Sequence, residues 1–438
     1  MLTGHQRRNN GATGSRRHHL STVADPSKSP PQRSDILVGI VFGVLGASNL
    51  VQGAWIGYVP WLNITAAGFV LALPIVLFSL GRRLSVAGLT AILLLFASLT
   101  LGLLASAIGS NAANKRVDLL ITVVFVISAS LFSLSNRKRL LAFLITTVLM
   151  GIIVVIAQVL NPDSAVLLSG RRTPEGLNSI GAGRVVGAAL VILLALAVRA
   201  RRGHLFTLLC LAVPLVVGLL WAESRGPLLG LGAACLFLLV RQSRSHMRSR
   251  VVLMVLLVTL TYLCYTWLLR SGSRLVTAGD SGRQILYVEA LQIAVDHPTG
   301  IGWGNFYRYV PSSLLNSGQG DNLYVHNIVL EFLVECGAFG VILFLGFVLL
   351  VMREAWTASA TDTGLAVAAL AVNLFVGALF SSDVVGNRMM WVVFGAALGG
   401  ISSAARTQTR LVRLRSSRSQ MCAKPRTRRA HQSDAAEQ

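Results

Sequence analysis

Charge is scarce in this chain. Only 13% of its 438 residues are Asp, Glu, Lys or Arg, against about 25% in a soluble globular protein. Acids are the scarcer sign, 17 against 39 Lys and Arg. Cysteine is sparse as well. Cys210, Cys235, Cys264 and Cys336 lie in or beside apolar runs and Cys422 lies near the C-terminus. They have no metal-ligand spacing and no pair in an outer loop, so packing as small apolar groups is expected, without a disulfide framework. A Walker-type glycine loop with Lys, an HExxH helix, an Asp-rich metal motif and a GxSxG elbow are all missing. Gly300-Ile301-Gly302-Trp303-Gly304 does not match GxGxxG and follows no strand, so it reads as a cluster of turns. The outer carboxylates are scattered, which does not suggest a paired-carboxylate glycosidase. No cleavable-signal pattern opens the sequence.

What is abundant is apolar sequence, 54% of residues, with a mean hydropathy of +0.66. Repeated runs of about 20 apolar residues read as transmembrane helices. Twelve spans are expected at roughly 36–54, 61–80, 84–108, 117–135, 139–160, 179–198, 204–222, 226–240, 250–269, 324–352, 363–381 and 385–404. The expected fold is all-α: a polytopic integral membrane helical bundle of about twelve transmembrane helices. Residues 36–404 form this domain. Polar, basic residues 1–35 and 405–438 read as disordered cytoplasmic tails.

The net charge of +22 raises the question of nucleic acid. Its distribution answers otherwise, because the basic residues cluster in short loops and tails beside apolar spans. One side carries 28 Lys and Arg and the other ten, with Arg184 inside a span. That bias puts both termini in the cytoplasm. No basic helix interleaved with aromatics occurs, so no nucleic-acid partner is expected; membrane lipids are. The outer face then carries 55–60, 109–116, 161–178, 221–226, 270–323 and 382–388.

Of eight His, only His297 and His326 fall on that outer face, and they are the imidazoles available for proton chemistry there. The loop 270–323 is the longest, and a loop of this length is usually functional or disordered. Helical periodicity runs from Ile285 to Val295, and Pro298 should end the helix near Asp296. Its aromatics and partial helicity favour an ordered lid on the membrane surface.

Arg225, in Glu223-Ser224-Arg225-Gly226, and Arg283, in Ser281-Gly282-Arg283, offer guanidinium forks that suit phosphate oxygens. Arg225 can equally be an interfacial residue that snorkels to headgroups, and Arg283 a solvated loop charge. His326 reads either as an outer-cavity base or as an interfacial His at the start of the tenth span. His297, beside Pro298, reads as a solvated loop residue. Glu331 and Glu335 follow on the same span and should face protein or water, as polar packing. Arg184, within the first two turns of its span, either lines a polar cavity or sits in a close helix contact built by Gly and Ala.

Three elements resemble the O-antigen ligase and polymerase-related superfamily. They are Glu223-Ser224-Arg225-Gly226; Ser281-Gly282-Arg283 with His297-Pro298-Thr299-Gly300-Ile301-Gly302-Trp303-Gly304-Asn305-Phe306; and His326-Asn327 with Leu330, Glu335, Gly337 and Gly340. Glu223 departs from the pattern, and Arg171-Arg172 match only loosely and take no role. The resemblance implies a glycosyltransferase class C-like fold and a metal-independent, inverting reaction without a cofactor. Such an enzyme moves a glycan from a polyprenyl diphosphate carrier to an acceptor hydroxyl on a glycan or lipid. It works at the outer face of the bacterial inner (cytoplasmic) membrane. It further implies that Arg225 and Arg283 hold the diphosphate and that His326 activates the acceptor. Asn327, Asn305 and Arg308 fall within the same motifs and are expected, with Arg184, to bind substrate. A transporter or flippase for lipid-linked or anionic substrates is the rival reading. It would hold its substrate near the midplane, whereas these Arg, Arg184 apart, lie at the outer rim.

Overall fold

A computed structural model describes residues 33–48, 85–105, 110–160, 178–200, 202–241, 251, 283–311, 323–380 and 383–399. Among these residues every regular element is a helix and no strand occurs. The α-helices are α1 (Arg33–Gly46), α2 (Val86–Leu104), α3 (Ser110–Leu119), α4 (Val126–Ser133), α5 (Arg137–Leu160), α6 (Ser179–Ala197), α7 (Arg202–Trp221), α8 (Arg225–Arg241), α9 (Arg283–Asp296), α10 (Phe306–Tyr309), α11 (Ile328–Ala358), α12 (Asp362–Ala378) and α13 (Arg388–Leu398). A π-helical turn, Leu120–Phe125, joins α3 to α4.

Six stretches among the described residues are long and apolar enough to cross a membrane: Val86–Leu104, Ala113–Ser133, Arg137–Leu160, Ser179–Ala197, Gly203–Trp221 and Ile328–Ala358. They fall on six of the expected spans. α12 and α13 are shorter apolar helices, at the expected 363–381 and 385–404, and α8 lies at 226–240. α1 opens the expected 36–54. The expected span 61–80, all but one residue of 250–269, residues 1–32 and 405–438 of the two expected tails, and Arg171 and Arg172 lie outside the described residues. Residues 33–35, expected as tail, instead open α1, where Asp35 pairs with Arg139 at 2.8 Å.

Helix α6 is the hub of the bundle. It packs against α5, α7, α8 and α12, and from Ala188 to Ile192 every residue is fully enclosed. Burial of this kind is why α6 reads as apolar all round instead of striped. The bundle has two chemically different ends. At one end Arg199 donates to the carbonyls of Ser359 (2.8 Å) and Ala360 (3.0 Å) and pairs with Asp362 at 3.2 Å. Arg241 bonds the Ser359 hydroxyl and lies over the Trp356 ring at 5.1 Å. These are residues that the charge bias assigns to the cytoplasm. The opposite end carries Lys115, Arg184, Arg225, Arg283, His326 and Arg388.

Two boundaries differ from the sequence expectation. Residues 324–327 are not helical, so His326 does not begin a helix. Asn327 takes an extended conformation, and its side-chain oxygen accepts from the amides of Val329 (3.0 Å) and Leu330 (3.2 Å). This N-cap starts α11 at Ile328, and His326 precedes it with a left-handed φ of 61°. Residues 110–116, expected as loop, are instead the start of α3. Lys115 is thereby carried into the bundle, where carboxylates compensate it.

Helix α11 is broken inside its length. Gly337 has φ 76° and ψ −179°, a conformation open essentially to glycine alone. The break frees backbone groups, and the segment after α9 takes them up. Ile301 N–H donates to Val334 O (2.9 Å) and Gly302 N–H to Glu335 O (3.0 Å), while Ala338 N–H turns to Pro298 O (2.9 Å). A Cβ on Gly337 would lie 2.4 Å from the Thr299 carbonyl carbon, and one on Gly300 2.6 Å from the Gly337 nitrogen. Irregular backbone at such a place is tolerated because protein satisfies it. Trp303 then enters the bundle fully buried and donates from Nε1 to Leu99 O of α2 (2.9 Å). Of the expected surface lid, the described residues 283–311 are ordered, and their glycine cluster packs into the break of α11.

Candidate functional site

The second of the two ends gathers the chain's polar chemistry. It is delivered by the approach to α11, the starts of α6, α8 and α9, helix α3, and the connection from α12 to α13.

His326 is 8% exposed. Its backbone is left-handed, and it sits between Tyr324 and the Asn327 cap. The Tyr324 and His326 ring centroids are 4.2 Å apart. His326 Nδ1 has no hydrogen-bond partner among the described residues. Burial pushes its pKa down to about 4, and the positive charge of Arg283 pushes the same way, against a smaller opposing pull from Asp383. At neutral pH this is an uncharged imidazole with a nitrogen lone pair or N–H to offer.

Arg283 is the first residue of α9, and its guanidinium donates to the carbonyl of Phe380 at 2.8 Å. Arg184 projects from the second turn of α6, whose start is capped by the Asn178 side chain at 2.9 Å. It donates to the carbonyl of Gly386 at 3.3 Å. Both guanidiniums are therefore held by backbone oxygens of one connection, residues 380–387. Both also act on the Tyr324 phenol. Burial, Asp383 and Glu331 hold that hydroxyl up at about 12 while Arg184 and Arg283 oppose them. Arg225 opens α8 and its side chain is exposed. The Gly226 carbonyl lies 3.6 Å from where a Cβ on Gly377 of α12 would stand. Arg225 thus belongs to the same end, at its edge.

The other expected residues are engaged locally. Asn327 spends its carboxamide oxygen on the α11 cap. Asn305 is 1% exposed, and its amide donates to Ile301 O at 2.9 Å, folding the glycine cluster on itself. Arg308 is exposed; its Nε donates to the Tyr307 hydroxyl at 3.0 Å and its guanidinium lies over that ring. His297 packs edge-on to Tyr309 at 4.9 Å.

Beneath His326 lies a buried charge cluster that sequence spacing did not reveal. Lys115 Nζ bonds Glu331 Oε1 at 2.7 Å and Glu335 Oε2 at 2.8 Å, and it lies 5.6 Å from the Trp303 ring centroid. Glu331 Oε2 accepts the Val384 amide at 2.9 Å. The i, i+4 spacing of two Glu at a helix start was the available signal. The cation that meets them comes more than 200 positions earlier in the chain. Asp383 also escaped notice, since a lone Asp in a short loop has no spacing to read. Its carboxylate accepts the Gly386 amide at 2.8 Å and acts electrostatically on His326, Tyr324 and Arg184.

As a whole, the arrangement offers fixed cations beside a neutral imidazole, within reach of an anionic counterpart. No curated protein matches the chain. Residues 210–345 match the family model described as O-antigen ligase, a stretch that contains Arg225, Arg283, Asn305, Arg308, His326 and Asn327 but not Arg184 or the 380–387 connection. Over residues 210–345, this multi-helix chain is thus similar to the O-antigen ligase family.

Proposed function

We propose that the chain is a metal-independent, inverting glycosyltransferase of glycosyltransferase class C-like, about twelve-span architecture. It transfers or polymerises glycan from a polyprenyl diphosphate carrier onto an acceptor hydroxyl at the outer face of a bacterial inner membrane. The observation that carries this reading is that Arg283 and Arg184, tied to one connection, both act on the Tyr324 phenol, and Arg283 acts also on the neighbouring His326 imidazole.

The diphosphate of the carrier binds Arg283, Arg184 and, at the rim, Arg225. Guanidiniums hold phosphate oxygens in pairs and keep their charge. Binding this anion offsets the charge of Arg283, one of the two causes that depress the imidazole's basicity. The acceptor hydroxyl then hydrogen-bonds His326. Its oxygen attacks the anomeric carbon from the face opposite the diphosphate, and the carbon–oxygen bond to the phosphate breaks. The proton passes to the imidazole and the electron pair leaves with the carrier diphosphate. Cations fixed before the reaction stabilise that leaving charge, and proton removal by a positioned base contributes about 10²–10⁴-fold. Asn327, Asn305 and Arg308 serve this site as substrate-binding residues at its border.

The test is transfer by the purified full chain given a polyprenyl-diphosphate oligosaccharide, without nucleotide sugar and with excess EDTA. Glycan should grow or move to acceptor with the native chain, and His326→Ala should lose at least about 100-fold in rate. Full product from His326→Ala would remove the base from the mechanism. Chain growth with no added acceptor identifies a polymerase.

A further inference from the structure

The family match assigns nothing beyond residue 345, yet two of the three candidate diphosphate-binding guanidiniums, Arg283 and Arg184, rest on carbonyls of the connection 380–387. What holds that connection in place is therefore part of how the site works. Its first anchor is Trp391, whose Nε1 donates to Val384 O at 2.9 Å. Internal bonds shape it: Gly386 N–H to Asp383 Oδ1 at 2.8 Å and the Asn387 amide to Asp383 O at 2.6 Å. A further tie is to Glu331, through Val384 N–H at 2.9 Å. Glu331 is fully buried, and its other oxygen is fixed by Lys115 at 2.7 Å. A carboxylate accepting a backbone N–H makes a charge-assisted bond, roughly twice the strength of a neutral one.

We propose that Glu331 is a positioning residue. Clamped by Lys115 from α3, it fixes the 383–387 turn through the Val384 amide, and so sets the Gly386 carbonyl that aims Arg184 at the carrier diphosphate. The proposal rests on the reading of Arg184 as a diphosphate ligand. Glu331 touches no substrate. Its effect falls on binding of the carrier, and only through Arg184. Removing it leaves Lys115 paired one to one with Glu335, so buried charge stays compensated.

The experiment compares the full chain in detergent with Glu331→Ala, Glu331→Gln, Arg184→Met and the double variant Glu331→Ala/Arg184→Met; Glu331→Met, which keeps the side-chain volume, stands in if the alanine variant does not accumulate. Hydrogen exchange is read on peptides spanning 380–390, and KM and kcat on polyprenyl-diphosphate oligosaccharide. Loss of a charged hydrogen bond should speed exchange of the turn and raise KM, each roughly tenfold or more, with kcat changed far less. Gln retains an accepting oxygen and should recover most of both. The double variant should have the KM of Arg184→Met alone. Unchanged exchange in Glu331→Ala, additive KM effects, or an unaltered KM in Arg184→Met would each overturn the proposal. Absence of transfer by the native chain overturns the glycan-transfer reading instead, and the exchange arm still decides whether Glu331 sets the turn.

Discussion

The imidazole of His326 is depressed to about 4 by burial and by Arg283, and that fixes the sign of its pH response. The uncharged form persists from neutral pH down to about 4, so kcat/KM should hold across that range and fall only as pH drops through it. Arg283→Met removes one of the two causes. The acid limb should then move upward toward the ordinary His value of about 6.5, which a pH profile of kcat/KM for both proteins will measure. A limb that stays in place would mean the guanidinium does not act on the imidazole. Composition and topology narrowed eight His to His297 and His326, and the family resemblance then named His326, Arg283 and Arg225. Sequence could not supply the left-handed φ of 61°, which comes from the tertiary setting around residues 324–327. Nor could it distinguish Asn327 as a cap from Asn327 as a ligand, because the same side chain suits both.

At the scale of elements, the broken helix α11 and the glycine cluster form one unit. Three backbone hydrogen bonds and the edge-on packing of Trp303 against Phe332 join them, the Trp303 indole N–H ties the cluster to α2, and neither glycine has space for a Cβ at the crossing. Gly337→Ala should destabilise the protein by at least about 1–3 kcal/mol from the backbone conformation alone, with the contact to Thr299 adding to it. A thermal unfolding scan in detergent should show a clearly lowered midpoint; a native-like midpoint would mean that the chain passes the crossing another way. Helix existence was legible here: apolar runs and Pro298 located α9 and most of the spans to within a few residues. The break was not. Gly337 reads as ordinary small-residue packing until the segment 298–302 is seen to fill the groups it frees. Pairing between residues far apart in sequence leaves no local periodicity.

For the molecule as a whole, the two ends of the bundle should face opposite sides of the membrane. Exposed Arg308 stands at the His326 end and exposed Arg353 near the other end of α11. In an otherwise cysteine-free chain, Arg308→Cys should react with a membrane-impermeant maleimide on intact cells. Arg353→Cys should react only after lysis. The reverse pattern would put His326 in the cytosol and end the glycan-transfer reading. The span count and charge bias predict this orientation without any contact information. The convergence of α6, α9 and the α12–α13 connection at one site needed the packed bundle. The break at Gly337 also bears on how α11 can carry two carboxylates at all. From Ala338 to Met352, ahead of exposed Arg353, about 15 residues remain, and at about 1.5 Å each they cover about 22 Å, most of a hydrocarbon layer of about 30 Å. The stretch below the break can thus cross most of the lipid without an acidic residue. Glu331 and Glu335 lie on the other side of the break, buried and paired with Lys115, so protein instead of hydrocarbon accommodates their charge.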